Sequence, residues 1–378
     1  MSQKTIRNVA FTLHRYLGLV VGLILIIVGL TGSLLVFQEE IDHFLVHLQF
    51  GQVIPQGQRL SIESIVGVVQ KAYDNSGLQL GGMRLPLEAN EPIIASLKTP
   101  ADQWINVFIN PYTGVIMGER EWDQTIIGIT FKLHYQLLAG QPGQVIVGIA
   151  ALFLLILCIT GIILWPGWRR LIAGFKIKWK AHIKRTNFDI HKLVGIIAAV
   201  FLAMIAFTGF CWNFYEQTEP VIYAATLTPK PPEPKSQPVP GKSIILGEVL
   251  KVADNTLPGA VTTHINFPTT PDGVLTVYKK FPEATENYSS RVYIDQFSGK
   301  VLQVRDSRSL RLGDTVLDSF VPMHYGTFGG LPTRILYVFV GLTPLILFVT
   351  GLIMWLYRWR KNKKSKAIMA PNSELISR

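Results

Sequence analysis

One helix occurs twice in this chain, and that repeat limits its fold more than any other feature. His14 is followed by Gly18, Gly22, Gly29, Thr31 and Gly32, and His191 is followed at matching offsets by Gly195, Ala199, Ala206, Thr208 and Gly209. A correspondence held over so many positions marks an internal repeat. At about 100° per residue the small residues fall on one stripe below the histidine. The stripe has two readings. It could be a groove for a flat cofactor, or a surface for close packing of membrane helices, for which Gly18-x3-Gly22 is sufficient.

Both helices are too apolar for water. Of 378 residues, 49% are hydrophobic and 16% are charged, which excludes an ordinary soluble enzyme. Stretches 14–36, 144–165, 190–213 and 334–357 are each longer than the roughly 20 residues needed to cross a hydrocarbon core of about 30 Å. No small-residue cleavage site follows the first, so it reads as a retained helix.

Three short segments are strongly basic: the start (Lys4, Arg7, Arg15), the loop after the second span (Arg169, Arg170, Lys176, Lys178, Lys180, Lys184, Arg185) and the tail (Arg358, Arg360, Lys361, Lys363, Lys364, Lys366). The positive-inside rule places all three in the cytoplasm. The net charge of +11 is then a topology signal, with membrane lipid as the partner of these clusters and no nucleic acid expected.

With both termini inside, two long segments lie outside, and each reads as a folded module. The first runs from a helix over Ser61 to Tyr73 to a hairpin at Asn110-Pro111-Tyr112-Thr113-Gly114. The second runs from a helix over Ile244 to Ala253 to a hairpin at Asp295-Gln296-Phe297-Ser298-Gly299. Glycine accepts positive φ and the Asn or Asp side chain bonds its own turn, which together signal a hairpin. Between Pro229 and Pro240, six of twelve residues are proline, an extended spacer.

The helices that close each half match as well. His134-Tyr135 corresponds to His324-Tyr325, Gly140 and Pro142 to Gly330 and Pro332, Thr160-Gly161 to Thr350-Gly351, and Trp165 to Trp355. The prolines interrupt the backbone before the apolar runs, so His134 and His324 are expected at the outer surface on short helices or re-entrant pieces.

The expected fold is therefore a membrane α-helical bundle of four spans with two α+β outer domains. Its internal duplication (helix, outer domain, helix) makes the halves parallel repeats about an axis along the membrane normal. The segments are a first membrane helix at 1–37, an outer domain at 38–128, and a histidine element with the second membrane helix at 129–166. A basic inner loop at 167–188 and the third helix at 189–215 follow. The spacer with the second outer domain occupies 216–320, the second histidine element with the fourth helix 321–358, and the basic tail 359–378.

That symmetry sets His14 and His191 at one inner level, and His134 and His324 at one outer level. A neutral imidazole on each side of an iron is one way to hold a haem with no open position for oxygen. Cys158 and Cys211 are isolated, and no C-x-x-C-H occurs, so such a haem would be b-type and non-covalent. Zinc or copper is the competing metal, although two histidines without an acidic or thiolate partner in the spans suit closed zinc poorly.

The remaining histidines read more simply. His43 and His47 lie one turn apart and could bind a metal, but a solvated helix extension beside Glu39, Glu40 and Asp42 is the favoured reading. His182 belongs to the inner loop, and His264 is expected on the surface of the second outer domain. Trp165, Trp212 and Trp355 are expected in an interfacial belt. Each cysteine is expected to act as a small hydrophobe. No phosphate-cradling loop, G-x-S-x-G or H-E-x-x-H is present.

Taken together, His14-Arg15-Tyr16-x-Gly18, the late Thr-Gly pairs, the Asn/Asp-x-x-Thr/Ser-Gly hairpins and the His-Tyr elements resemble the PepSY-associated transmembrane proteins, over residues from about 5 to 360. The resemblance implies a bacterial inner-membrane protein with two periplasmic PepSY-like domains and two b haems, as in ferrisiderophore reductases. It assigns His14, His134, His191 and His324 as axial ligands; on the groove reading of the stripe, Gly18 and Gly195 are expected beside the cofactor.

It also implies a periplasmic ferric siderophore as acceptor. No flavin or nicotinamide site is visible, so the donor is a quinol or a cytoplasmic reductase. Two other readings stand. One is a membrane-anchored PepSY regulatory module without redox activity. The other is an electron conduit to a flavin, a quinone or a copper species.

Overall fold

The computed structural model describes residues 2–237, 246–284 and 290–369, with side chains described as far as Arg360. Pro238 and Pro240 of the spacer, Ile244, the side chains of Lys361, Lys363, Lys364 and Lys366, and the tail from residue 370 lie outside the described residues. The chain forms two compact units. One comprises 1–38, 130–222 and 316–378, and the other 39–129 and 223–315.

The first unit is helical. Helices α1 (Gln3–Leu35), α5 (Gly140–Leu164), α7 (Ile183–Asn213) and α11 (Leu331–Met369) dominate it, and each contains a segment long and apolar enough to cross a membrane. The protein is a membrane protein. Helix α1 packs against α5 and α11, and α7 packs against the same two. The bundle is thus a closed square with α1 and α7 on one diagonal.

Small residues set the spacing at the α1–α11 side. A Cβ added at Gly22 would strike the Phe348 ring, and one at Gly29 would lie 2.4 Å from the carbonyl oxygen of Gly341. Ser33 Oγ donates to the Val338 carbonyl at 2.9 Å, a polar contact between helices that close packing permits. Pro142 and Pro332 sit in the first turns of α5 and α11, where no helical N–H partner is required. They open these helices and do not interrupt them.

Short helices precede the two closing spans: α4 (Ile126–Gln136) before α5, and α10 (Leu312–Tyr325) before α11. On the basic side, Pro166–Trp168 and α6 (Leu171–Phe175) form a cap. Trp165 is only 7% exposed there and packs on Trp168 and Phe175. That burial replaces the interfacial position expected of it. Lys192 Nζ bonds the Ala173 carbonyl at 2.6 Å and the Asp189 carboxylate at 2.7 Å, tying the cap to α7.

The second unit is α+β. Its first half contains α2 (Gln38–Phe50), all but the first residue of which belongs to this unit, then α3 (Ile62–Ala72) and strands β1 (Gln79–Arg84), β2 (Ile93–Lys98), β3 (Trp104–Ile109) and β4 (Ile116–Glu121). Its second half contains the end of α8 (Tyr215–Ala225), α9 (Leu246–Thr256) and strands β5 (Val261–Asn266), β6 (Val274–Lys280), β7 (Ser290–Asp295) and β8 (Val301–Arg305).

The strands build one antiparallel sheet in the order β4-β3-β2-β1-β5-β6-β7-β8. Two modules were expected, yet a single sheet joins them. Its centre is the β1–β5 pair, with Met83 opposite Ile265 and Gly82 opposite Asn266. The order reads alike in both directions from that pair.

Period-two alternation directs Val107 and Ile109 to a core with Ile65 and Val69 of α3, and Val292 and Ile294 to a core with Val249 and Ala253 of α9. Phe108 faces the opposite side, where Val46 and Phe50 of α2 cover it. Both hairpins form as expected. Asn110 Oδ1 accepts from the N–H groups of Tyr112 and Thr113, and Asp295 Oδ1 from those of Phe297 and Ser298. Gly114 and Gly299 take φ of 72° and 69°, which a side chain would resist.

Candidate functional site

The first histidine pair meets across the diagonal of the bundle. His14 of α1 and His191 of α7 have ring centroids 6.1 Å apart with planes at 84°. The second pair repeats this arrangement. His134 of α4 and His324 of α10 stand 6.1 Å apart at 82°. All four rings are partly buried. The pairs lie at different depths of the bundle, since His134 meets α1 at Thr31, about 25 Å along the helix from His14 at 1.5 Å per residue.

Each imidazole is fixed through Nδ1. His14 lies 2.9 Å from Thr160 Oγ1, His134 3.1 Å from Thr31, His191 2.8 Å from Thr350 and His324 2.7 Å from Thr208. Every one of these hydroxyls already donates to the carbonyl one turn back in its own helix: Thr31 to Ile27, Thr160 to Ile156, Thr208 to Met204 and Thr350 to Ile346. His134 Nδ1 also lies 2.9 Å from the Val28 carbonyl, and the carbonyls of Leu157, Leu347 and Ile205 are partners of His14, His191 and His324; a carbonyl only accepts, which assigns the proton to Nδ1 and leaves the threonine oxygen to accept as well. Nε2 is left with its lone pair, the state a metal requires of an imidazole.

The glycine after each threonine makes room for the ring. A Cβ at Gly32 would lie 2.9 Å from Cε1 of His134, one at Gly161 3.3 Å from His14, one at Gly209 3.3 Å from His324 and one at Gly351 3.6 Å from His191. Each Thr-Gly pair therefore seats a histidine. Its recurrence in all four spans was visible in the sequence, but its role was not. The matching of threonine to histidine depends on which helices adjoin.

At Gly18 and Gly195 the surroundings differ. An added Cβ would meet only the ends of Leu157 and Leu347, at 3.7 and 3.6 Å. The stripe thus divides in two. Gly22 and Gly29 serve helix packing, whereas Gly18 and Gly195, one turn from His14 and His191, would accept a Cβ in ordinary contact.

Nearby polar groups support the frame. Asn187 Nδ2 donates to the Thr350 carbonyl at 2.7 Å, one turn before His191. Arg7 donates to the carbonyls of Ile163 and Leu164 at the end of α5. Asn187 carried no sequence signal beyond its polarity, and Arg7 stood out only as one of the basic residues at the start. The Trp212 ring lies 4.7 Å from that of His324, tilted at 48°, and so walls the second pair. Among the described residues, no third His, Cys, Asp or Glu joins either pair in a group of potential metal ligands.

The other histidines are placed elsewhere. His182 caps α7, accepting from the Lys184 N–H. His264 lies on β5, where its Nε2 is 2.7 Å from Asn266 Oδ1 and its ring meets Tyr278. It is partly buried, contrary to the expected surface position, because β5 is an interior strand of the joined sheet. His43 and His47 approach Glu91.

Outside the spans, Asp314 at the start of α10 feels two opposed effects. Burial raises its pKa, but bonds from the Tyr223 hydroxyl and the Arg311 guanidinium prevail and hold it below the usual carboxylate value.

The profile of the family described as PepSY-associated TM region matches residues 11–358. A protein of Pseudomonas aeruginosa described only as uncharacterized is 24% identical over 257 residues, which covers 61% of this chain and 64% of that protein's length.

Proposed function

The chain belongs to the PepSY-associated transmembrane family, and we propose that it is an oxidoreductase of the bacterial inner membrane. In this reading it holds two b-type haems and passes electrons outward to a periplasmic acceptor, ferric iron in a siderophore. The observation that carries the reading is the fourfold histidine–threonine arrangement.

An imidazole nitrogen stands about 2 Å from a first-row metal, with the ring centroid about 1 Å behind it, so one ion between two rings sets the centroids roughly 6 Å apart. Both pairs have that spacing. A closed zinc site would need further protein ligands. Two imidazoles alone would suit the iron of a haem, and Gly18 and Gly195 place no side chain beside the first pair. Haem held by two histidines supplies one-electron chemistry at an iron with no position open to oxygen.

The protein's own residues do the rest. The threonines fix the Nδ1–H tautomer, the glycines admit the rings, and apolar helices keep water away. In this reading, which the basic segments support, both termini are cytoplasmic and the α+β halves, duplicated as parallel repeats, are periplasmic. His14 and His191 then form the inner centre, and His134 and His324 the outer. The donor is a quinol or a cytoplasmic reductase. Iron leaves a hard-oxygen chelate once reduced, because Fe(II) is the weaker Lewis acid for such ligands. The test is the reduced absorption spectrum and haem count of the purified chain made with ample haem. Two haems per chain are expected, and a missing Soret band defeats the reading.

A further inference from the structure

We propose that the α+β unit carries a separate metal site, formed by His43, His47 and Glu91, for one divalent first-row transition ion. The inference is independent of haem binding. His43 and His47 lie one turn apart on α2 and so share a face. Their ring centroids are 3.9 Å apart at 60°. Glu91, just before β2, is paired with His43 Nε2. One potential ligand atom from each of the three residues lies within 4.8 Å of those of the other two.

An ion pair between His43 and Glu91 would explain two of these groups. It leaves the third unexplained, because His47 Nε2 is buried and lacks a hydrogen-bond partner. A buried nitrogen is normally satisfied, and two protonated imidazoles at this distance would repel. A cation at the centre gives all three groups a partner.

The frame is rigid. Val46 anchors α2 against Ile94 and Phe108 of the sheet, and Arg120 clasps Asp42 through both carboxylate oxygens, at 2.7 and 2.6 Å. Asp42 is thereby committed, which leaves Glu91 as the site's carboxylate. Two imidazole nitrogens with one carboxylate oxygen favour zinc(II), iron(II) or copper(II) over calcium or magnesium, which take oxygen ligands. Three protein ligands also leave a position for water or a small anion. His43 is exposed, so an ion can enter from solvent.

The test uses the purified full-length protein, stripped with a chelator and equilibrated with zinc(II). Bound zinc is counted after gel filtration for the wild type, Glu91→Gln and His43→Asn. Glu91→Gln preserves side-chain size, His43→Asn shortens an exposed side chain, and circular dichroism checks the fold. Wild type should retain one zinc more than either variant, with affinity in the variants weaker by about 10-fold or more, the scale seen even for the loss of an outer partner. Cobalt(II) should give a ligand-field absorption band in the wild type that both variants lose. Equal zinc in all three proteins, or none retained by the wild type, overturns the site.

Discussion

Nδ1 of His324 lies 2.7 Å from Oγ1 of Thr208, whose own proton is given to the carbonyl of Met204. The direction of the hydrogen bond is thereby fixed by the helix and not by the histidine. A threonine that ordinarily only satisfies its own backbone becomes an acceptor that selects a tautomer.

Thr208→Val keeps the shape and removes the hydroxyl acceptor, leaving His324 the Ile205 carbonyl alone. On the proposed two-haem reading, affinity for the outer haem should fall by about 10-fold to 100-fold, and the potential of that centre should shift while the inner one stays put. Thr208→Ser should restore both. A spectroelectrochemical titration reads the two centres separately, and an unchanged outer potential in the valine variant would remove Thr208 from the positioning role.

Leucine at either member of a pair should cost one haem, and the same one. His14→Leu and His191→Leu should each bring the pyridine haemochrome count from two to one, with matching residual spectra. His134→Leu and His324→Leu should leave the complementary spectrum. Full haem content in any of the four variants contradicts the pairing.

The glycine stripe can be divided by experiment. Gly29→Ala drives a Cβ to 2.4 Å from the Gly341 carbonyl oxygen and should destabilise the bundle by about 1–3 kcal/mol, the usual cost of overpacking. Gly18→Ala meets no protein atom nearer than 3.7 Å and should leave the melting temperature unchanged while lowering occupancy of the inner haem. A Gly18→Ala protein with full haem content would return the whole stripe to helix packing.

Asp295 gives the second hairpin a pH dependence. Burial raises its pKa, but the N–H and hydroxyl of Ser298 and the N–H groups of Gln237 and Phe297 prevail and lower it. A depressed carboxyl stabilises above its unfolded value of about 3.9. That contribution is lost as pH falls from there through the folded value. Asp295→Asn should flatten the acid limb of the stability curve at a cost of about 1 kcal/mol at neutral pH, as followed by thermal melts from pH 3 to 7. An unaltered acid limb would place the sensitivity elsewhere.

The legible parts of this protein were those that repeat. Four histidines and four Thr-Gly pairs stand at matched offsets, and both hairpins announce themselves through Asn110 and Asp295. What joins these pieces left no local trace. His14 meets Thr160 only because α1 adjoins α5, and no periodicity within either helix encodes that neighbour. The β1–β5 pairing was equally hidden, since Gly82 and Asn266 lack the alternating pattern of a central strand. Trp165 was misplaced because its neighbours Gly167 and Gly174 form a pocket only once the cap has folded over.

The palindromic sheet also governs how the chain can be divided. Ile62, Leu85 and Phe267 pack into the apolar cores of both halves. A fragment ending before β5 would bare Ile62 and Leu85 along with the unpaired N–H and C=O groups of β1, a ready template for strand addition. Either half synthesised alone should therefore dimerise through its exposed strand or aggregate. The natural product of such a dimer would be a homodimeric version of this same sheet.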